Sequence, residues 1–271
     1  MTDMTDMTDM TTWGSLPAVR IHAADGACAT VTLYGGHLVS WQSADGRERL
    51  FCSARSARDG SRPIRGGVPL IFPQFAERGA GMRHGFARVS TWRLQGSGQA
   101  GDGAFASFTL TQADLAPAIA AAWPHGFALT FRVALQANTL ALSVDVTNTG
   151  SDAFAFSSAL HSYLRVDDLA EARIDGLADG ELAIADKLDQ IMFGIAGPVT
   201  LRQPGGLLRL AQSGFTDAVV WNPGAADAAA MTDMDDEEYR RFICIEAAVI
   251  APLTLAPGQV WRGQHTLRAI G

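Results

Sequence analysis

FALTFRVALQANTLALSVDV, residues 127–146, decides the fold class. Leu129, Phe131, Val133 and Leu135 alternate with Thr130, Arg132, Ala134 and Gln136; after Ala137-Asn138-Thr139, Leu140, Leu142, Val144 and Val146 alternate with Ala141, Ser143 and Asp145. A period of two on both sides of a short break with turn chemistry predicts a β-hairpin with one buried face. Working outward, similar runs occur at Ala29–Tyr34, His37–Gln42, Phe105–Thr111, Ala153–Val166, Ala218–Trp221, Phe242–Ile250 and Val260–Ala269, with many of the 28 glycines between them. Helical patterning is confined to Asp114–Trp123, where Pro117 stands near the start. Neither a strand–helix alternation nor a repeat of propeller length is present, which argues against a parallel α/β sheet and a propeller. The expected fold is all-β: a single antiparallel β-sandwich domain over residues 13–271. The repeated MTD of residues 1–9 has no core-forming pattern, so residues 1–12 are expected to form a disordered low-complexity tail.

Composition narrows the function. Among 271 residues, 48% are hydrophobic and 18% charged, as in soluble globular proteins. No apolar run approaches the roughly 18 residues of a membrane helix, and Asp3, Asp6 and Asp9 stand where a signal peptide carries positive charge. The expected location is the cytoplasm, with no membrane partner. Cys28, Cys52 and Cys244 are far apart and form no paired-thiol motif, which predicts neither a disulfide framework nor a zinc ribbon. The formal charge is −7, yet the ten arginines of Arg47–Arg93 face only Glu48, Asp59 and Glu77, a local excess of +7. One compact basic segment in an acidic chain does not suit nucleic acid, which needs an extended basic face. It suits a small anion such as a phosphate ester, which guanidinium groups grip bidentately. The single lysine, Lys187, sits in the acidic context ADKLD and makes Schiff-base chemistry a poor fit.

Three features stand out against the strand pattern. In Ala153–Val166, one face carries Ala155, Ser157, Ala159, His161 and Tyr163, suited to the floor of a cleft; His161 is either a catalytic group or a hydrogen-bonded structural histidine. Glu246 is the one carboxylate in RFICIEAAVIAPL, on the face of Phe242 and Cys244. Burial there raises a carboxyl pKa toward general-base use, unless an arginine pairs with it. IRGGVPLIFPQF at Ile64–Phe75, followed by RHGFAR at Arg83–Arg88, reads as an ordered loop because Gly66-Gly67, Pro69 and Pro73 break a strand.

These stretches, together with SSALHSYLRV, VVWNP, MTDMDDEEYRRFICIEAA and APGQVWRG in this order, resemble the hexose-6-phosphate mutarotases (glucose-6-phosphate 1-epimerase type). That group lies in the aldose 1-epimerase, or galactose mutarotase-like, superfamily. The resemblance spans about residues 15–271. It implies a supersandwich of antiparallel sheets with a sugar cleft, and neither metal nor organic cofactor. It implies His161 as general acid and Glu246 as general base, with Arg65 and Arg88 holding the substrate and its phosphate, and His84 and Asp217 contacting the sugar. Arg83 replaces the usual glutamine before HGFAR and is an added candidate phosphate contact. The lysine often found after WNP is absent from GAADAAAM.

The implied reaction moves a proton from the C1 hydroxyl to a base while an acid protonates the ring oxygen; the ring opens, C1–C2 rotates and the ring recloses. The pair is expected on opposite sides of the sugar. Phe72, Phe86 and Trp221 serve either sugar stacking or the core. The expected partner is thus a small sugar phosphate, and the protein a monomer. Alternatives are a mutarotase of neutral aldoses such as galactose or glucose, a non-catalytic carbohydrate-binding or sensing module, and, more distantly, a zinc hydrolase using His84, His161 and Glu246.

Overall fold

In the hairpin of residues 127–148, strands Phe127–Gln136 and Thr139–Asn148 pair in register, Phe131 opposite Val144 and Gln136 opposite Thr139. The alternating apolar residues of both strands are essentially without solvent contact, and the residues between them are half-buried. Burial of each such side chain contributes about 1.5–3 kcal/mol, so a shift of one residue, which turns the whole set to the other face, is strongly disfavoured.

The computed structural model describes residues 8–178 and 180–271. The hairpin lies inside a nine-stranded antiparallel sheet ordered Gly180–Leu182, Arg173–Ala178, Val199–Gln203, Gly206–Ser213, Val260–Ile270, Thr139–Asn148, Phe127–Gln136, Gly103–Thr111, Arg93–Ala100. A second sheet runs Leu188–Met192, Asp217–Asn222, Phe242–Leu255, Phe154–Leu160, Leu70–Ile71, with Tyr163–Arg165 pairing the start of Phe242–Leu255. A third holds Thr8–Trp13, Leu16–His22, Cys28–Thr32 and His37–Gln42. Inward faces of all three share one apolar cluster that includes Val31, Phe131, Val220 and Ile245. Helical structure is limited to short turns, among them Pro117–Ala122 within the stretch where the sequence predicts a helix. Among the described residues, no helix is long and apolar enough to cross a membrane.

Three expectations need correction. Residues 8–12 are not a tail: Thr8–Trp13 pairs antiparallel with Leu16–His22, because Gly14 (φ 65°) turns the chain where a Cβ would lie 2.4 Å from that of Arg58. Residues 1–7 lie outside the described set. The run Ala153–Val166 is not one strand. It breaks at His161-Ser162, where the His161 amide leaves the sheet to donate to the Pro69 carbonyl (3.0 Å). Conversely, the proline-rich stretch 64–75 does contain a short strand, Leu70–Ile71, at the edge of the second sheet.

The second sheet positions the chemistry. Ala218, Val220, Ile243, Ile245 and Ala247 face the shared core. Val219, Trp221, Cys244 and Glu246 lie on the opposite face, which is also covered, so Phe242–Ile250 is buried on both sides and reads as a nearly continuous apolar run.

Candidate active site

A cavity of about 400 Å³ opens on this second face, within the range of small-molecule sites. His161, Glu246, Arg65, Arg83, His84 and Arg88 all line it.

Arg65 is set by its neighbours in the loop. Gly66 and Gly67 have φ of 115° and 61°; Cβ atoms there would fall 2.3 Å from the Phe51 carbonyl and 2.2 Å from that of Leu38. Only glycine fits so close an approach. His37, fully buried, donates from Nε2 to the Gly66 carbonyl (2.7 Å), and the Arg65 amide donates to Ser56 Oγ (2.8 Å). From this anchored backbone the Arg65 guanidinium donates from Nη1 to the Tyr163 hydroxyl (3.0 Å), and from Nε and Nη2 to one oxygen of Asp233 (3.3 and 3.2 Å). Tyr163 and Asp233 hold it firmly charged, above the ordinary arginine value.

His84 occupies the left-handed region (φ 62°), uncommon for a residue with a Cβ. Gly85 beside it allows the Phe72 carbonyl to approach within 2.0 Å of where a Cβ would stand. The Ala76 amide donates to His84 Nδ1 (3.3 Å), so the ring proton resides on Nε2, leaving a donor for the cavity. Burial, then Arg88, Arg83 and Arg65, lower the His84 pKa to about 3, so it is neutral at physiological pH.

Arg88 is partly buried, and its Nε is inaccessible and without a hydrogen-bond partner. Its Nη2 donates to the Arg83 carbonyl (3.1 Å), and no carboxylate lies within ion-pair distance among the described residues. Arg83 projects from the rim, its side chain 67% exposed and 3.9 Å from Glu77. Arg62 and Arg78, which the sequence did not single out, also line the cavity. The Gly224–Ala230 helix carries no cation; Arg62, donating to Thr232 Oγ1 (3.0 Å), brings one to that side.

At the floor, His161 Nε2 and Glu246 Oε1 are 3.3 Å apart. The pair sits side by side rather than on opposite sides of a ligand space. His161 is stacked on Tyr163 (centroids 4.9 Å, interplanar angle 10°), with Trp221 edge-on at 5.8 Å. Both His161 Nδ1 and Glu246 Oε2 are buried without hydrogen-bond partners. Burial, reinforced by Asp189, pushes the Glu246 carboxyl well up; burial, then His84, Arg88 and Arg65, pushes His161 well down. Both shifts favour a net-neutral pair holding one shared proton.

Asp217 is not brought to the cavity. Its Oδ2 accepts from the Ile250 amide (3.0 Å) and its Oδ1 from Gly194 (3.3 Å), so the carboxylate is spent on backbone. The acid in its place is Asp189, on the edge strand Leu188–Met192 opposite Trp221. The signal for it was an Asp189–Ile191 face in LDQIM, too short a run to stand out. Trp221 lines the cavity, whereas Phe72 and Phe86 pack edge-to-face in the core; Phe75 is the phenylalanine at the wall. Among the described residues, no three His, Cys, Asp or Glu side chains are placed to hold a metal ion.

Known proteins resemble this chain in sequence and in fold. A protein of Cenchrus ciliaris named "Putative glucose-6-phosphate 1-epimerase" is 32% identical, across 96% of this chain and 86% of its own. One of the same name from Escherichia coli (strain K12) is 30% identical, across 81% and 79%. The crystal structure of a "putative mutarotase" from Salmonella typhimurium superposes with a TM-score of 0.88 at 25% identity, covering 99% of this chain and 95% of that one. A galactose mutarotase-like protein from Clostridium acetobutylicum shares the fold with a TM-score of 0.78 at 15% identity, covering 99% and 100%. The family profile described as aldose 1-epimerase matches residues 17–194. The chain belongs to the aldose 1-epimerase family.

Proposed function

We propose that the protein interconverts the α and β anomers of a hexose 6-phosphate, glucose 6-phosphate foremost, by acid–base ring opening and reclosure. The observation that carries the phosphate is Arg88: a guanidinium with a buried, unpartnered Nε and no carboxylate, in a cavity also lined by Arg62, Arg65, Arg78 and Arg83. A partly buried cation without a counter-ion carries a desolvation cost, and a phosphate dianion offsets it. The relatives' names point the same way.

The His161–Glu246 contact fits the reaction. The C1 hydroxyl and the ring oxygen are bonded to one carbon, so two neighbouring groups can serve them both. The single shared proton, which burial places on Glu246 at rest, first passes to His161 across the 3.3 Å contact. The Glu246 carboxylate then takes the C1 hydroxyl proton as the imidazolium gives its proton to the ring oxygen, the C1–O5 bond breaks and an aldehyde forms. Rotation about C1–C2 and the reverse transfers yield the other anomer and restore both groups. Neutral His84 offers its Nε2 proton to a sugar hydroxyl, Asp189 accepts from another, and Trp221 presents an aromatic edge or face to the sugar. Asp217 is left with a structural role.

Anomer exchange measured by NMR on glucose 6-phosphate, glucose and galactose, each against an enzyme-free control, tests this. Acceleration confined to the phosphorylated sugar is expected. Equal or greater acceleration of the neutral sugars overturns the phosphate assignment, and acceleration of none overturns the reaction.

A further inference from the structure

We propose that Tyr163 is a positioning residue that ties occupancy of the anion subsite to the orientation of the catalytic acid, so that phosphate binding raises turnover and not affinity alone. The inference rests on the hexose 6-phosphate reading of the cavity.

A histidine in an active site is usually oriented by a hydrogen bond at the nitrogen it does not use. His161 lacks that: Nδ1 is buried with no partner, and Nε2 meets Glu246. Its plane is held instead by packing, and the closest parallel contact is Tyr163, 10° from coplanar. Tyr163 in turn is held at its hydroxyl by Arg65 Nη1. Arg65 therefore bridges the cavity's cationic wall and the ring on which the acid rests.

The other edge of the Arg65 fork is poorly used. Nε and Nη2 share a single Asp233 oxygen at 3.3 and 3.2 Å, longer than the 2.7–2.9 Å of strong charge-assisted bonds. A phosphate can offer that edge two oxygens, replacing a loose bifurcated contact with a bidentate one while Nη1 stays on Tyr163. The guanidinium plane then becomes fixed, and with it the Tyr163 hydroxyl and the stacked imidazole. Asp233 serves as a placeholder for the anion when the site is empty.

Tyr163→Phe keeps the ring and its stacking but cuts the tie to Arg65. The expected result on glucose 6-phosphate is a fall in kcat of about 10- to 100-fold, the scale of a small misplacement of a catalytic group, with KM changed less than about threefold. A rise in KM with kcat intact would show that Tyr163 only helps Arg65 hold phosphate, and would overturn the inference. An activity-independent arm follows the His161 ring signal by NMR, assigned with His161→Asn, during titration with inorganic phosphate. Phosphate is expected to move that signal in the wild type and much less in Tyr163→Phe; equal movement in both would also overturn the coupling. If the wild type fails to accelerate glucose 6-phosphate anomerisation yet its His161 signal responds to phosphate through Tyr163, the substrate reading fails and the coupling stands.

Discussion

Glu246→Gln should destroy activity while making the protein more stable, and the two effects have one cause. Glu246 is 1% exposed, one oxygen meets a histidine at 3.3 Å, and the other has no partner. An unsatisfied buried polar atom costs about 1–3 kcal/mol, more when charged. Folding therefore favours the protonated carboxyl, which is why its pKa is raised by burial, then by Asp189. The sign follows: the folded state holds this proton above the pH at which the unfolded chain, near the ordinary carboxyl value of about 4.3, has released it. Glu246 thus subtracts stability increasingly as pH rises from there toward its folded pKa. Glutamine keeps the shape without the ionisation, so the mutant's advantage should be small near pH 4 and grow to about 1–3 kcal/mol at pH 8. At about 2–4 °C per kcal/mol for chains near this size, that is a clear rise in Tm. Loss of the proposed general base should lower kcat/KM by about 10²- to 10⁴-fold. Urea unfolding of both proteins between pH 4 and 8, beside anomer exchange, checks the pair of effects. A glutamine variant less stable at every pH, or with a pH-independent difference, would refute the argument that an uncompensated buried carboxyl is what the site maintains.

Acid should weaken the fold through histidines outside that pair. Burial lowers His37 and His265 from 6.5 to about 4, so the unfolded chain binds protons there first, and stability is lost as pH falls from 6.5 toward 4. Each gap is worth about 3 kcal/mol, and the urea midpoint followed over that window should show the steepest loss there. Arg65→Ala should raise KM for glucose 6-phosphate about 10- to 100-fold, the worth of charge-assisted hydrogen bonds, and also lower kcat as Tyr163→Phe does, whereas Asp233→Asn should tighten inorganic phosphate binding several-fold by calorimetry. Asp189→Asn and Asp217→Asn should separate: the first impairs turnover with the Tm nearly kept, the second costs about 1–3 kcal/mol of stability through its two backbone partners with anomer exchange retained.

The sequence by itself determined the central hairpin and singled out the buried carboxylate. Side-chain direction alternates along any strand, so the period of two in 127–146 fixed both the hairpin and its buried face without reference to the rest of the chain. Glu246 was conspicuous because it is the one carboxylate in a nearly continuous apolar run, where a charge must be either paired or used. The paired glycines after Arg65 marked a loop for the same local reason, since positive φ is a property of the residue itself. Contacts between distant segments were not legible in this way. Residues 8–12 form a strand because Leu16–His22 offers an edge, although nothing in their own pattern demands it. His161 reaches Glu246, 85 positions away, because the chain leaves the sheet at residue 161 to bond the 67–69 loop, where alternation alone predicts an unbroken strand. Asp217 and Asp189 show the limit most plainly: both are acids on neighbouring strands of one sheet, and only the tertiary structure decided which meets two backbone amides and which meets the cavity. Local conformation follows from each residue's own sterics and polarity; a site is assembled from relative placement, which is set by how whole sheets pack.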